Sequence, residues 1–195
     1  MTRLPLSDPR YALTRLLEEY VPGDPQEGEI CARLRDFVVR NPGCFERTLA
    51  VGHVTASAWV IDPDGKLSLL THHRKLDKWL QLGGHADGDP DVFAVALREV
   101  REESGLDSVH PLSKAVFDVD IHQIPARRSE PEHLHYDVRF LAVADPLEPL
   151  RPSDESHELR WLPMHRIEDW TTEESVLRMV RKTASRRAEP PAKGG

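Results

Sequence analysis

Cysteine, net positive charge and long apolar runs are all lacking in this sequence of 195 residues. Its two cysteines, Cys31 and Cys44, are too few and too widely placed for a disulfide framework or a zinc motif, so we expect reduced thiols and a cytoplasmic protein. The net charge of -7 opposes binding to a nucleic-acid polymer, which needs a basic face. Because no apolar stretch approaches the ~18 residues of a membrane helix, and the N-terminus lacks a secretory apolar segment, we expect no membrane contact.

The order of patterns along the chain predicts one domain with a helical extension. Apolar residues recur at helical spacing over 9–20 and again over 26–39, so residues 1–47 are interpreted as a helical extension. Residues 48–185 are expected to form the main domain. Residues 186–195, which include the polar stretch "AEPPAKGG", are expected to be a disordered tail.

From Gly52 onward, β-branched and alternating segments replace the helical pattern. Strands are predicted at "HVTASAWVI", "KLSLLTHH", "KWLQL", "KAVFDVDIHQI", "HLHYDVRFLAVA" and "HELRWLP", and a closing helix at "TEESVLRMVRKTASRR". This order indicates an α+β fold in which a mixed sheet lies between helices, an α/β/α sandwich.

A helix is predicted from Pro90 to Ser104, after a turn that contains Gly83 and Gly84. Asp89 is the expected cap of its free N–H groups, and Gly105 suits the left-handed residue after its last turn. The core stripe is expected to consist of Phe93, Leu97 and Val100.

The same helix carries Glu99, Glu102 and Glu103 at positions i, i+3 and i+4, so their side chains are neighbours. Like charges at this spacing cost about 0.2–0.5 kcal/mol per pair. One interpretation is a solvated face on which Arg98 and Arg101 relieve the repulsion. The other is a site for Mg²⁺ or Mn²⁺, cations that prefer oxygen ligands and often hold substrate phosphates.

The segment from Gly84 to Leu106 resembles the signature of the Nudix hydrolases. That signature is Gly, five residues, Glu, seven residues, then Arg-Glu-apolar-any-Glu-Glu-any-Gly-apolar. One position departs from it, because Pro90 replaces the first glutamate. That glutamate supports the loop and its arginine in the family, so part of its role is expected to pass to Asp87, Asp89 or Asp91. The resemblance covers residues 52–180 and leaves the N-terminal helices outside.

The resemblance implies a divalent-metal-dependent hydrolase that cleaves a diphosphate bond in a nucleoside diphosphate derivative. It implies Mg²⁺ or Mn²⁺ held by Gly84, Glu99, Glu102 and Glu103. Arg98 would orient these glutamates. The attacking water would lose its proton to one of the glutamates, Glu102 or Glu103 among them, or to a carboxylate of a later loop, Glu155 or Glu158.

Two other functions are open on the same fold. One is a ligand-binding or regulatory module without turnover, which the three glutamates disfavour. The other is an isomerase of an isoprenoid diphosphate, which would need a cysteine near the site, whereas Cys31 and Cys44 precede the predicted sheet. The expected partner is a small phosphorylated substrate, and, as in many family members, a homodimer is among the expectations.

Two further sets of residues are candidates for substrate contact. A cationic run contains His73, Arg74 and Lys78, which either hold phosphates or belong to a solvated hairpin loop. His85 lies beside the signature glycines. His122 in one strand and His133 and His135 in another alternate with apolar residues, as do Asp118, Asp120 and Asp137. If these strands form a hairpin, both sets share one face, which is a substrate wall, a transition-metal site or simply a wet sheet face.

Overall fold

The computed structural model describes residues 4–126 and 131–188, and in these a mixed β-sheet lies between helices. The helices are α1 (Tyr11–Glu19), α2 (Pro25–Arg40), α3 (Val92–Ser104), α4 (Glu174–Ala188) and a 3₁₀ helix (Met164–Asp169). The strands are β1 (Gly52–Ile61), β2 (Leu67–His73), β3 (Lys78–Leu80), β4 (Leu82–His85), β5 (His110–Pro111), β6 (Asp118–Ile124), β7 (His133–Val143) and β8 (Ser156–Pro163). The predicted α+β fold, with helices on both faces of a mixed sheet, is confirmed.

Strand β1 is the centre of this eight-stranded sheet. Its parallel partner is β7, and its other edge is shared between β4 and β2, which are both antiparallel to it. Strand β7 in turn pairs with β6 and β5, whereas β2 pairs with β3 and β8. The hairpin expected between β6 and β7 is therefore present, and its turn includes residues outside the described ranges.

Apolar side chains cover both faces of the sheet. On one face, Val54, Ala56 and Val138 pack against buried residues of α1, α2 and α3. On the other, Trp59 and Leu141 pack against the 3₁₀ helix and α4. The alternation of strand side chains produces these two layers, because neighbouring residues point to opposite faces.

The two N-terminal helices pack directly on the sheet. Phe37 of α2 stacks on Tyr136 of β7 with ring centroids 3.7 Å apart. Glu27 of α2, which is 1% exposed, forms ion pairs with Arg178 and Lys182 of α4. The extension thus contributes apolar and ionic contacts to the same core as the sheet.

One local prediction is wrong, and one short strand was not predicted. Gly83 and Gly84 do not form a turn but belong to strand β4, where they pair with Ser57 and Ala56 of β1. The glycines instead allow β4 to lie close to β1, because a Cβ on Gly83 would be only 2.3 Å from the Cβ of Ser57. The short strand β5 was not predicted, since two residues give no periodicity.

The start of α3 also differs from the prediction. The helix begins at Val92, and Asp91 caps it by accepting a hydrogen bond from the Ala94 N–H at 3.1 Å. Asp89 instead accepts one from the N–H of Asp91 within the loop. Gly105 ends the helix in the left-handed region, φ 69°, as predicted.

Residues 186–188, which were expected to belong to a disordered tail, are the last residues of α4, and the rest of that tail, from 189 onward, lies outside the described residues. Among the helices described, none is long and apolar enough to cross a membrane.

Candidate functional site

The three glutamates lie in the C-terminal half of α3, next to strand β4. Glu103 is buried, the Glu99 side chain is 19% exposed and that of Glu102 is 62% exposed. The Gly83 N–H donates to Oε2 of Glu103 at 3.1 Å, which ties this carboxylate to β4. Solvent exposure therefore increases from Glu103 through Glu99 to Glu102.

Gly84 is the point of closest approach between β4 and these carboxylates. A Cβ at this position would lie 2.3 Å from Oε2 of Glu99 and 2.6 Å from its Cδ. Only glycine leaves Glu99 in its present place. The backbone of β4 and the Glu99 carboxylate are thus in close contact at this point.

The electrostatics of this cluster are those of a site that a cation would stabilise. Burial raises the pKa of Glu103 to about 8, the Gly83 hydrogen bond opposes the rise, and the neighbouring carboxylates add to it. Burial likewise raises the pKa of Glu99. Oxygen ligands that are crowded and partly desolvated fit a hard divalent cation such as Mg²⁺ or Mn²⁺, which would offset their repulsion.

Arg98 lies among acidic groups. Its guanidinium is 3.3 Å from Glu99, 3.9 Å from Glu102 and 3.7 Å from Asp89. Asp89 directly precedes Pro90, the position at which this sequence lacks the signature glutamate. A carboxylate next to that position therefore still contacts Arg98. Of the three aspartates considered as replacements, Asp89 is the one with this contact, whereas Asp91 caps the helix.

A cleft of about 340 Å³ connects the glutamates with one end of the sheet. Its walls contain acidic residues, cationic residues and histidines. The lining comprises Arg47, His73, Lys75, Leu76, Gly84, His85, Asp87, Glu99, Glu102, Glu103, Ile124, His133, His135, Ser153 and Glu155.

Most of the predicted site residues meet in this cleft. Glu155 stands in its wall with a half-exposed side chain, 3.6 Å from Lys75. Its alternative, Glu158, pairs with Arg160 and does not line the cleft.

Three predicted substrate-binding residues do not line the cleft. Arg74 donates to the Ser156 carbonyl at 3.1 Å. Lys78 pairs with Glu173 at 2.8 Å, and His122 pairs with Asp120 at 3.3 Å. These contacts engage all three side chains outside the cleft, although the His122 ring lies beside it, with its centroid 5.3 Å from that of His135.

The sequence patterns did not reveal two residues of this region. Arg47 lines the cleft, and His53 contacts three other histidines. Arg47 forms a bidentate pair with Asp87, whose backbone is in the left-handed region with φ 50°. No local pattern marks Arg47, because its partner is 40 residues away. His53 begins an alternating stretch in β1, and its position opposite His135 follows only from the parallel pairing of β1 with β7.

The aspartates of the β6–β7 face have a structural role. Arg139, 2% exposed, contacts Asp118 at 3.3 Å and Asp137 at 2.7 Å, and Arg178 of α4 contacts Asp118 at 2.7 Å. This part of the face is neither wet nor part of the cleft. Paired buried charges of this kind are costly to separate, so the network fixes α4 on the sheet.

Five histidines form a cluster at the end of the same face, with His122 at its margin, 5.3 Å from His135 between ring centroids. The ring of His53 lies 5.0 Å from His85, 4.9 Å from His133 and 4.8 Å from His135, measured between centroids. Burial lowers the pKa of His53 to about 4 and that of His135 to about 2, and the neighbouring imidazoles add to both shifts. These two rings are therefore neutral at physiological pH.

The cysteines do not contribute to the cleft. Both thiols are free and buried, and burial raises the pKa of Cys44 to about 12. A thiol with such a pKa is a poor nucleophile. The isomerase alternative, which needs a reactive cysteine beside the metal ligands, has no support from these two residues.

Comparison with known proteins agrees with the geometry. A family model described as NUDIX domain matches residues 51–182. A solved structure of a C. elegans Ap4A hydrolase binary complex matches with TM-score 0.56 and 17% identity, over 69% of this chain and 97% of that one. RenU, a Nudix hydrolase from M. smegmatis, matches with TM-score 0.52 and 19% identity, over 73% of this chain and 91% of that one.

A NUDIX-family hydrolase from Clostridium perfringens is also similar, with TM-score 0.51 and 22% identity, over 68% of this chain and 97% of that one. No curated protein matches the sequence. At these identities the structural likeness concerns the fold.

Proposed function

Since the chain belongs to the NUDIX domain family, we propose that it is a divalent-metal-dependent hydrolase that cleaves the diphosphate bond of a nucleoside diphosphate derivative. Its general class, a Nudix-type pyrophosphohydrolase acting on acid anhydrides, follows from the family. The dependence on Mg²⁺ or Mn²⁺, the kind of substrate and the roles of individual residues are our proposal. We also propose a location in the reducing cytoplasm, which the two free, buried thiols support.

The observation that carries the proposal is the contact between α3 and β4. Glu99 and Glu103 converge there on the backbone of Gly83 and Gly84, and no side chain at Gly84 separates them from the cleft. A merely solvated helix face would not bury Glu103 or require glycine opposite Glu99. The arrangement fits a site in which the carboxylates hold a cation that also binds phosphate oxygens.

A bound divalent cation would neutralise charge on the phosphates and lower the pKa of a coordinated water. The protein residues would prepare this site. Arg98 keeps the Glu99 and Glu102 carboxylates in place through ion pairs. Glu155, across the cleft, is the proposed acceptor of the proton from the attacking water.

Cationic groups at the rim of the cleft support a phosphorylated substrate. Lys75 and Arg47 both line the cleft, and each contacts a carboxylate, Glu155 and Asp87 respectively. His73, the last residue of β2, also lines the cleft. We propose that these three residues contact the phosphates in an otherwise acidic protein.

The test is phosphate release from a panel of nucleoside diphosphate derivatives with Mg²⁺ or Mn²⁺. Wild type should turn over one class of compound only when the metal is present. The Glu102→Gln/Glu103→Gln double variant should lose this activity, whereas Glu168→Gln should keep it, because Glu168 is an exposed residue of the 3₁₀ helix.

Absence of turnover on every compound by folded, metal-bound wild type would contradict the proposal. That outcome would favour the non-catalytic ligand-binding module. Equal activity of the double variant and wild type would contradict the assignment of the carboxylates.

A further inference from the structure

We propose that His53, His85 and His135 form a second metal site, one that binds a transition-metal ion of the Zn²⁺ class and is distinct from the carboxylate site on α3. One imidazole nitrogen from each residue lies within 4.8 Å of the others. The site goes beyond the proposed function, and its existence does not depend on hydrolysis.

Three strands bring these residues together. His53 of β1 is directly opposite His135 of β7 in the parallel pairing, and His85 ends β4 opposite Thr55 of β1. Because Thr55 and His53 are two residues apart, all of these side chains point to the same sheet face. Sites held on strands in this way are well fixed, since no loop must order to complete them.

His53 is the observation that points to a ligand. Its side chain is 1% exposed, and within the described part of the chain neither ring nitrogen has a hydrogen-bond partner. A buried polar side chain without partners is rare and costly. A metal ion coordinated by one nitrogen would remove part of this cost.

His133 completes the surroundings. Its Nδ1 lies 2.9 Å from the Pro131 carbonyl oxygen, which can only accept, so Nδ1 donates and Nε2 of the neutral ring carries the lone pair. Nε2 of His133 lies 3.3 Å from Nε2 of His135. His133 therefore adjoins the proposed site but is not one of its three ligands, whose nitrogens lie within 4.8 Å of one another.

The geometry needs only a small adjustment. Ligand nitrogens on a tetrahedral ion are about 3.3–3.4 Å apart for bonds of about 2.0–2.1 Å. Since the three nitrogens lie within 4.8 Å of one another, no separation would need to shorten by more than about 1.5 Å, which side-chain rotations can supply. Imidazole donors favour Zn²⁺, Co²⁺ and related ions, whereas the oxygen ligands on α3 favour Mg²⁺ or Mn²⁺. Of the three proposed ligands, His85 and His135 also line the cleft, so the site borders the place proposed for phosphates.

Cobalt is the probe that separates the two sites, because nitrogen-ligated tetrahedral Co²⁺ absorbs strongly in the visible range and octahedral oxygen-ligated Co²⁺ absorbs weakly. Metal-free protein would be titrated with Co²⁺ alone, followed by competition with Zn²⁺ and with excess Mg²⁺. Wild type should give the strong band at one equivalent, and Zn²⁺ but not Mg²⁺ should remove it. The Glu102→Gln/Glu103→Gln double variant should keep it.

The histidine variants complete the test. His85→Gln and His135→Gln should weaken Co²⁺ affinity by at least about tenfold, the lower end of the loss seen when even outer residues of metal sites are changed. His110→Gln, an exposed histidine on β5, should bind like wild type. His85 is partly exposed, so its variant is expected to fold, which circular dichroism would check.

Three results would overturn the site. They are a weak octahedral spectrum in wild type, an unchanged strong band in both folded histidine variants, or loss of the band in the glutamate variant. Since none of these readouts measures hydrolysis, failure of this site and failure of the proposed function are distinguishable.

Discussion

At the level of single residues, the burial of Glu103 determines how the site responds to pH. This carboxyl lies under the surface, and burial raises its pKa from 4.5 to about 8 in the metal-free protein. The unfolded chain releases the same proton near the lower value. Folding of the metal-free protein therefore favours the protonated carboxyl, whereas metal binding needs the carboxylate.

The free energy of unfolding of the metal-free protein should decrease as the pH rises from about 4.5 to 8. In this range the folded state binds more protons than the unfolded state, so the stabilisation is complete below the lower value and disappears as the pH passes the higher one. Glu103→Gln, whose amide oxygen can still accept from Gly83, should lack this decrease. Urea unfolding in the presence of a chelator, measured across this range, checks it.

Glu102→Gln is the matched control, because the Glu102 side chain is 62% exposed. It should follow the pH dependence of wild type. Parallel curves for wild type and Glu103→Gln would show that Glu103 is not the buried acid responsible.

The two glycines of β4 should respond differently to the same substitution. Gly84→Ala places a methyl group 2.3 Å from Oε2 of Glu99, a flexible side chain that can move but would then leave its position. We expect a near-native fold and a loss of activity of about 10- to 100-fold, as small misplacements at reacting centres produce. Steady-state kinetics and thermal unfolding on the same sample would measure both.

Gly83→Ala meets the backbone of β1 instead, with Cα of Ser57 at 2.5 Å and the carbonyl oxygen of Ala56 at 2.6 Å. Overpacking of this kind costs about 1–3 kcal/mol or more, so this variant should be destabilised. Full activity of folded Gly84→Ala would show that Glu99 need not stay where it is.

At the level of secondary structure, the start of α3 shows how a local rule can select the wrong neighbour. Asp89 and Asp91 both suit an N-cap, and Pro90 suits the first helical turn after Asp89. In the structure the loop after β4 has left-handed residues at Asp87 and Gly88, which shift the helix start by two residues. The tertiary position of this loop, which the Arg47–Asp87 pair holds, is not encoded in the helix itself.

Asp91→Ala should reduce the free energy of unfolding by about 1 kcal/mol, the usual cost of losing a cap. The reason is that the Ala94 N–H loses its acceptor. Asp89→Ala should cost less stability, since it removes a loop hydrogen bond and a long ion pair to Arg98. Urea titrations of both variants test this order, and a greater loss for Asp89→Ala would contradict the assignment of the cap.

At the level of the whole molecule, the N-terminal helices and the sheet share contacts that link their stabilities. Leu13 and Leu34 of the helices are fully buried in the same apolar cluster as Val54 and Val138 of the sheet. The family model begins at residue 51 and leaves these helices out. We propose that residues 1–47, although they lie outside the family model, fold together with residues 48–185.

Phe37→Ala should therefore destabilise the sheet as well as α2. Truncating a buried phenylalanine costs about 3–5 kcal/mol, and Phe37 stacks on Tyr136 of β7. The four tryptophans all lie after residue 52, so their fluorescence reports on the sheet domain alone. The fluorescence-detected transition should move to lower urea, whereas Val21→Ala, at an exposed position, should leave it unchanged.

A fluorescence transition that stays in place while helix content falls would mean that the extension unfolds independently.

Much of the site is local and was predictable for that reason. The spacing of Glu99, Glu102 and Glu103 places them together on any helix, and Gly105 ends that helix as expected. Alternation predicted that the β6 and β7 residues share a face. The role of His53 was not predictable, because it depends on a parallel pairing between strands some 80 residues apart. Likewise, the sequence could not separate the structural role of the aspartates on that face from the role of its histidines. The difference depends on tertiary ion pairs of the aspartates with Arg139 and Arg178.

The decisive experiment for the metal-dependent hydrolase is the initial rate of diphosphate cleavage as a function of Mg²⁺ concentration, for wild type, Glu103→Gln and Glu168→Gln. If the carboxylates of α3 bind the cation, wild type and Glu168→Gln should show no rate without Mg²⁺ and a saturable rise with it. Glu103→Gln should need much more Mg²⁺ or remain inactive. Cleavage by wild type that persists in a chelator, or an identical Mg²⁺ dependence in Glu103→Gln, would contradict the function proposed for this site.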